Sequence, residues 1–235
     1  MTLRARLAAG VALILLAGTA ARAQDGLLPS DCTAYLTVQR RDCVVEHHYT
    51  CAATPGHRWR VDYDDEDGAR FISETDAEGR WIWSQDVPPE GVEARLLPDA
   101  TDHASIGTLL ATGEDSYAFR QRRSTRIESV EGFDRLTGVQ VEIDGEALLV
   151  TEYGYRVHSA DGMLLADVSG SEFVSARHRR FFSGTRTWHS DDGDQTVDST
   201  PVEFVYPGES GFLSEQPRFG CYVLTSGIPA TEGRG

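Results

Sequence analysis

Polar and apolar residues alternate with a period of two along much of this chain, most clearly in a segment that begins at residue 57. One side of the alternation carries His57, Trp59, Val61 and Tyr63, and the other carries Arg58, Arg60 and Asp62. Because successive side chains of a β-strand point to opposite faces, this pattern predicts a strand with two unlike faces. Acidic turns that contain glycine follow, with more alternating segments behind them, which predicts an antiparallel meander.

The same pattern predicts strands in most of the remaining chain. These strands cover residues 69–74, 80–84, 116–122, 125–130, 138–143, 147–158, 163–168, 173–188, 197–206 and 219–224. Asp144-Gly145 is the strongest signal for a hairpin turn. One helix is predicted, with Thr101 or Asp102 as its cap and Gly113 after its last residue, Thr112. Consecutive strands without alternating helices predict an all-β fold, either a strongly curved antiparallel sheet or an open barrel with one short covering helix.

The first residues have the composition of a secretory signal peptide. Arg4 and Arg6 precede an uncharged apolar run that ends at Ala20, and Ala21-Arg22-Ala23 matches the small-x-small pattern of a cleavage site. The run is shorter than the ~20 apolar residues that a membrane-spanning helix needs. We therefore predict a signal peptide over residues 1–23, a single β-rich domain over residues 24–235, no transmembrane segment in the mature chain, and a periplasmic or secreted location.

The charge composition excludes several functions. The formal net charge is -15, and all 22 basic residues are arginine, because the chain contains no lysine. A chain this acidic repels polyanions, so we expect no nucleic-acid partner. The absence of lysine also excludes Schiff-base chemistry and a phosphate-loop lysine. No motif for a cofactor is present, and we predict none.

Four cysteines in an exported chain are expected to form two disulfides, for which three pairings exist. If residues 43–51 form one strand, its ends lie about 26 Å apart, too far for Cys43 to bond Cys51. A hairpin that turns at Arg41-Asp42 places Cys32 opposite Cys51. This leaves Cys43 for Cys221.

The same hairpin register predicts one apolar and one polar face. Its apolar face would carry Ala34, Leu36, Val38, Val45, Tyr49 and the cysteines, and its polar face would carry Thr33, Thr37, Gln39, Glu46, His48 and Thr50. A half-buried hairpin requires such a division. Adjacent histidines point to opposite faces of a strand, so His47 and His48 are not expected to share a metal ion. The register leaves His48 beside Glu46 on the solvent face as a weak functional candidate.

A resemblance to a known superfamily rests on one strand-turn-strand segment in an exported meander. The segment Trp59-Arg-Val-Asp-Tyr63, followed by Asp76-Ala-Glu-Gly-Arg-Trp-Ile-Trp83, resembles the periplasmic lipoprotein carriers. The general layout of residues 57–190 is similar to theirs. The resemblance implies an open β-barrel whose concave side holds acyl chains. The predicted disulfides and the acidic excess depart from that pattern, and no functional residue is carried over.

Aromatic residues on successive predicted strands are the main candidates for a binding site. Trp59, Phe71, Trp81 and Trp83 would form a packed core in a closed structure, but they would line an apolar ligand cavity in an open barrel. Arg177 and Arg179 belong to a dense basic run. They are either solvated and ion-paired, or they hold an anionic headgroup or the carboxylates of a partner.

The sequence therefore favours a non-enzymatic binding or carrier protein for a lipid, another hydrophobic ligand or an envelope protein. One alternative is a hydrolase that acts on cell-envelope material, which would show a polar cleft with converging carboxylates or a histidine beside a serine. The other is a structural interaction protein with a filled core and no ligand cavity. No catalytic residue and no metal ligand is assigned from the sequence.

Overall fold

The computed structural model describes residues 28–65, 68–87 and 91–221. These residues form an all-β fold with one short helix, in which a single antiparallel sheet of 13 strands is not closed into a barrel. The predicted signal peptide lies outside the described residues, as does the end of the strand predicted for residues 219–224. Within the described ranges no helix is long and apolar enough to cross a membrane.

The strands follow the chain order across nearly the whole sheet. They are β1 Cys32–Arg40, β2 Val45–Cys51, β3 Arg58–Tyr63, β4 Ala69–Thr75, β5 Trp81–Asp86, β6 Glu93–Leu96, β7 Glu114–Arg123, β8 Arg126–Ile143, β9 Glu146–Ser159, β10 Leu164–Ser175, β11 Arg180–Trp188, β12 Gln195–Asp198 and β13 Pro201–Val205, with α1 Ile106–Thr112 between β6 and β7. Each strand pairs with the next one, except that β13 leaves β12 and pairs with β1. The two edge strands are therefore consecutive in the chain, separated by Ser199 and Thr200 alone.

Several predicted boundaries are wrong where turns lack the usual turn residues. The long strand predicted for residues 173–188 is two strands, because the basic run Arg177-His-Arg-Arg180 turns the chain and Arg179 adopts a left-handed φ of 48°. The strands predicted for residues 125–130 and 138–143 are one strand, β8, with an irregularity between Leu136 and Gln140. The Asp144-Gly145 turn is confirmed, and both its residues have positive φ.

The predicted pairing of Cys32 with Cys51 is confirmed, although the predicted turn is wrong. The backbone N–H of Arg40 donates to the carbonyl of Val44, so the turn contains three residues and ends at Cys43, which has φ 58°. The extra turn residue shifts the register by one. A bulge at Tyr35, between Ala34 and Leu36, shifts it back before the cysteines meet.

This bulge changes which side chains share a face. Leu36 pairs with His48 and Val38 pairs with Glu46, so the predicted division into apolar and polar faces is wrong. A one-residue shift moves every later side chain to the other face. Both faces of the hairpin are covered. Leu36, Val38, Glu46 and His48 on one face, and Thr37, Gln39, Val45 and His47 on the other, are all almost fully buried. The expected solvent position of His48 is therefore wrong as well.

The outer face of the hairpin is covered by the C-terminal segment, residues 206–221. The Leu213 N–H donates to Thr37 Oγ1 at 3.0 Å, the Arg218 N–H donates to Gln39 Oε1 at 3.0 Å, and His47 Nε2 lies 3.0 Å from the Ser214 carbonyl oxygen. Polar side chains of the sheet thus form hydrogen bonds with the backbone of an irregular segment that is not itself paired as a strand. The predicted Cys43–Cys221 disulfide is confirmed and fastens the end of this segment.

Helix α1 begins later than the sequence predicts. Thr101 and Asp102 are hydrogen-bonded in extended form to Ala118 of β7, so Ser105 is the N-cap and its side chain accepts from the Thr108 N–H. Gly113 ends the helix with φ 89°, as predicted. The apolar side of α1 packs on the sheet in a cluster of Ile106, Leu109, Leu110, Leu136, Leu149, Val174 and Phe181.

The Cys43–Cys221 disulfide should hold the C-terminal segment on the sheet. Changing both cysteines to serine releases a cross-link between residues 178 positions apart, and we expect a loss of about 2–5 kcal/mol in the free energy of unfolding. The Leu213 amide should lose protection from hydrogen exchange. A Cys32→Ser/Cys51→Ser variant is the control, because these cysteines are already neighbours in the hairpin. Equal protection of Leu213 in both variants would contradict the prediction.

Candidate functional site

A cavity of about 770 Å³ lies along one face of strands β3 to β11. We call this the cavity face; Arg60, Trp81, Asp134, Tyr153 and Glu172 lie on it. Its apolar wall consists of Phe71, Trp81, Tyr117, Phe119, Val130, Tyr153, Tyr155, Val157, Val168, Phe181 and Trp188. Phe182 points the other way from β11 and packs against Leu36, so β11 separates the cavity from β1.

Trp81 occupies the centre of the apolar wall. Its ring meets Phe119 at 6.1 Å and Tyr155 at 5.9 Å between centroids, both edge to face. Even with these contacts Trp81 is 47% exposed, because the open side of its ring borders the cavity. An exposed indole in an aromatic wall provides a large apolar contact area for a ligand.

Two glycines give the tyrosines of this wall their room. Gly132 pairs with Tyr155, and a Cβ at Gly132 would lie 2.8 Å from the Tyr117 ring. Gly170 pairs with Tyr153, and a Cβ there would lie 3.0 Å from the Tyr153 ring. Aromatic rings that pack on strand glycines shield the backbone there from solvent, and they leave the space on the far side of each ring free. The Tyr153 and Tyr155 rings are stacked with centroids 6.2 Å apart.

The cavity is richer in cationic than in anionic side chains, although the whole chain is strongly acidic. Seven arginines line it, against the four carboxylate residues Glu74, Glu128, Asp134 and Glu172. The arginines are Arg60, Arg80, Arg95, Arg123, Arg126, Arg180 and Arg186. This reversal of sign creates a local positive field that the total charge does not reveal.

Three of these arginines have no carboxylate partner. Among the described residues, no carboxylate oxygen lies within 4.0 Å of Arg123, Arg180 or Arg186. Arg180 Nη1 donates to Tyr35 Oη at 3.4 Å, and Arg186 Nε donates to Tyr153 Oη at 3.4 Å. A guanidinium that faces a cavity without a counter-ion can bind an anionic ligand through several N–H groups.

Two carboxyl groups of the cavity face are also without hydrogen-bond donors among the described residues. Asp134 is 7% exposed, and burial together with the nearby Glu172 and Asp115 raises its pKa to about 8. Burial raises the pKa of Glu172 to about 7, although Arg186 and Arg60 act in the opposite direction. Both groups are therefore substantially protonated near neutral pH, which increases the positive excess in the cavity.

A buried ionic cluster lies next to the cavity at Arg60. Arg40 Nη1 donates to Glu46 Oε1 at 2.7 Å, Arg60 Nε lies 2.8 Å from Asp62 Oδ1, and His48 Nε2 lies 3.1 Å from Glu46 Oε2. Burial would raise the pKa of Glu46, but Arg60, His48 and Arg40 hold it well below its usual range. Burial and the nearby Arg180 lower the pKa of His48 to about 3, so this histidine is neutral.

The structure brings only some of the predicted binding residues together. Phe71 and Trp81 line the cavity. Trp83 borders it as well, but it packs with Trp59 in the core cluster of the opposite face, where the two rings lie 5.9 Å apart.

The two predicted headgroup arginines lie outside the cavity lining and have partners. Arg177 Nη1 lies 3.0 Å from Glu146 Oε2, and its guanidinium stacks over Tyr206. Arg179 Nη2 lies 2.6 Å from Glu78 Oε1. The same Glu78 accepts from the Gly107 N–H at the start of α1, so Arg179 helps to anchor the helix.

Sequence analysis missed the cavity carboxyls and arginines. Arg186 occurs in a predicted strand as an ordinary alternating polar residue, whereas Asp134 and Glu172 lie between the predicted strands. The available signal was their position beside glycines, since Gly132, Gly170 and Gly184 lie two residues from them in β8, β10 and β11. In comparisons with protein-family models, curated proteins and solved structures, nothing matched this chain.

The raised pKa of Asp134 predicts a pH-dependent stability. A carboxyl whose pKa is higher in the folded than in the unfolded chain contributes most to the free energy of unfolding below pH 4. This contribution is lost as the pH rises through about 8. Asp134→Asn cannot ionise, so we expect it to gain stability relative to the wild type by at least about 1.4 kcal/mol at pH 9 compared with pH 5. Urea unfolding at both pH values measures this difference.

The control for this experiment is Glu131→Gln, which changes an exposed carboxylate on the same strand. It should keep the same stability difference from the wild type at pH 5 and at pH 9. If Asp134→Asn also shows no relative gain at pH 9, the Asp134 carboxyl does not resist ionisation in the folded protein.

Proposed function

We propose that this protein is a binding or carrier protein whose ligand is hydrophobic with an anionic headgroup. The apolar body of the ligand lies along the aromatic wall around Trp81, and its headgroup binds Arg186, Arg180 or Arg123. The ligand class is that of a fatty acid or another acidic lipid. The observation that carries the proposal is a cavity with unpaired arginines and exposed aromatic rings inside an acidic chain.

The ligand proposal depends on a strongly curved sheet, arranged as an open barrel. In a flat sheet of 13 strands the two edges would be about 58 Å apart, yet β12 and β13 are joined by two residues. Trp81 of β5 reaches Tyr155 of β9, and His48 of β2 meets Phe182 of β11 at 5.6 Å. These contacts support a curled sheet that encloses ligand space, as the resemblance to lipoprotein carriers implies.

The proposed location is the periplasm or the extracellular space. The signal-peptide pattern of residues 1–23 supports export, and two intramolecular disulfides are compatible with an oxidising compartment. An acidic exterior would keep the carrier away from anionic membrane surfaces while the cavity still accepts an acidic lipid. An envelope protein that delivers or receives this ligand is the corresponding partner.

Ligand binding can be tested first without any assumption about ligand identity. The protein should be purified from its own envelope, analysed by native mass spectrometry, and extracted with organic solvent. We expect a co-purifying acidic lipid of stoichiometric amount. A protein that is free of ligand and also fails to bind a fluorescent fatty acid would contradict the carrier function and favour a purely structural role.

The headgroup arginine can be tested with the same fluorescent fatty acid. Arg186→Gln removes an unpaired guanidinium from the cavity, and we expect Kd to rise about tenfold, the effect of one charge-assisted hydrogen bond. Arg120→Gln is the matched control, because Arg120 is an exposed residue of β7 that pairs with Asp99. Arg177→Gln tests the arginine predicted from the sequence. A larger effect of Arg177→Gln than of Arg186→Gln would move the headgroup site away from the cavity.

A further inference from the structure

A serine, a histidine and an aspartate form a hydrogen-bonded series at the end of β10 and β11. Ser169 Oγ lies 2.8 Å from His189 Nε2, and His189 Nδ1 lies 3.0 Å from Asp194 Oδ2. The two ring nitrogens thus have different partners, one a hydroxyl and the other a carboxylate. This is the order of contacts through which a histidine activates a serine nucleophile.

Local structure fixes the position of each member. Ser169 lies within β10 and pairs with Thr187 of β11. The His189 N–H donates to the Asp167 carbonyl at 2.9 Å, which keeps the chain beside β10 after β11 has ended. A turn then brings Asp194 back, closed by the Gly193 N–H on the Ser190 carbonyl.

Ser169 also borders a groove of about 570 Å³. By the alternation of β10, its side chain points away from the cavity face that carries Val168 and Gly170. Gly154 pairs with Ser169 on β9, and the Phe133 ring packs against Gly154 as an apolar wall of the groove. A substrate carbonyl could therefore approach Ser169 from the groove.

Arg156 provides a positive group in the same groove. Its Nε donates to Asp167 Oδ2 at 3.0 Å, and Asp167 lies two residues before Ser169 on the same face of β10. The terminal nitrogens of Arg156 have no hydrogen-bond acceptor among the described residues, and the side chain is 60% exposed. A guanidinium in this position can stabilise an oxyanion that forms on the substrate.

We propose that Ser169 and His189 form a second site, which hydrolyses carboxylic esters independently of the cavity. Ser169 Oγ bonds to the ester carbonyl carbon while its proton passes to His189 Nε2, and the carbonyl oxygen becomes an anion facing Arg156. The C–O bond to the alcohol then breaks, and His189 returns the proton to the leaving alkoxide. Water, deprotonated by His189, attacks the acyl-serine, and the serine leaves with that proton as the carboxylic acid is released.

Asp194 acts in this site as a positioning residue. It accepts from His189 Nδ1–H and so directs Nε2 to the serine. Its side chain is 56% exposed, and water therefore screens its effect on the imidazolium. We expect slow turnover with small, activated esters, and a stoichiometric reaction with a fluorophosphonate that traps the serine.

The deciding experiment is labelling of the purified full-length protein with a fluorophosphonate, followed by peptide mass spectrometry. We expect one label, on Ser169, and hydrolysis of p-nitrophenyl butyrate above background. Ser169→Ala should abolish both, and His189→Gln should reduce both at least about 100-fold. Ser171→Ala is the matched control, since Ser171 lies on the same strand but bonds to Thr185 instead of a histidine.

The variant Asp194→Asn separates catalysis from a structural role of these hydrogen bonds. It should lower kcat for p-nitrophenyl butyrate without raising KM, because His189 Nε2 is no longer directed to the serine. A merely structural contact would change the melting temperature without changing kcat. Wild-type protein that is neither labelled at Ser169 nor active would overturn the esterase proposal, while fatty-acid binding in the cavity would be unaffected.

Discussion

The pairing of buried charged side chains on strands β1 to β3 is the constraint on which the rest of this structure depends. Arg40, Glu46 and Asp62 are buried between strands that also carry apolar side chains, and an unpaired charge there would be strongly destabilising. Arg40 donates to Glu46, and the Arg60 guanidinium forms an ion pair with Asp62. Strands β1 to β3 must therefore keep one register, and this register fixes where Arg60 meets the cavity.

The C-terminal segment packs on one face of the sheet and helix α1 packs on the other. The cavity is the part of the second face that α1 leaves uncovered. The C-terminal segment covers the outer face of the N-terminal hairpin and is held by Thr37, Gln39 and the Cys43–Cys221 disulfide. Helix α1 packs on Val174 and Phe181 next to the cavity and is anchored by Glu78. Residues Leu96, Ala100 and Ala104 pack on part of the aromatic wall, and Trp81 remains 47% exposed among the described residues.

Local rules predicted most of the fold because most contacts join consecutive strands. Alternation located the strands, and hairpin geometry identified both disulfides. The hairpin prediction nevertheless succeeded through two compensating errors, since the three-residue turn ending at Cys43 and the bulge at Tyr35 shift the register in opposite directions. Neither Cys43 nor Tyr35 carries a turn or bulge signal in the sequence. At Cys43 the strain of the positive φ is offset by a disulfide whose partner is remote in sequence.

The sequence by itself determined the strand content, the disulfide pairs and the acidic net charge, because each of these follows from composition or from neighbours along the chain. Only the tertiary structure decided that His48 is buried, that Arg186 has no counter-ion among the described residues while Arg177 has one, and that Ser169 lies against His189. Alternation assigns a side chain to a face, but it does not tell what covers that face. What covers it depends on segments distant in sequence, and these contacts decide burial, charge pairing and chemistry.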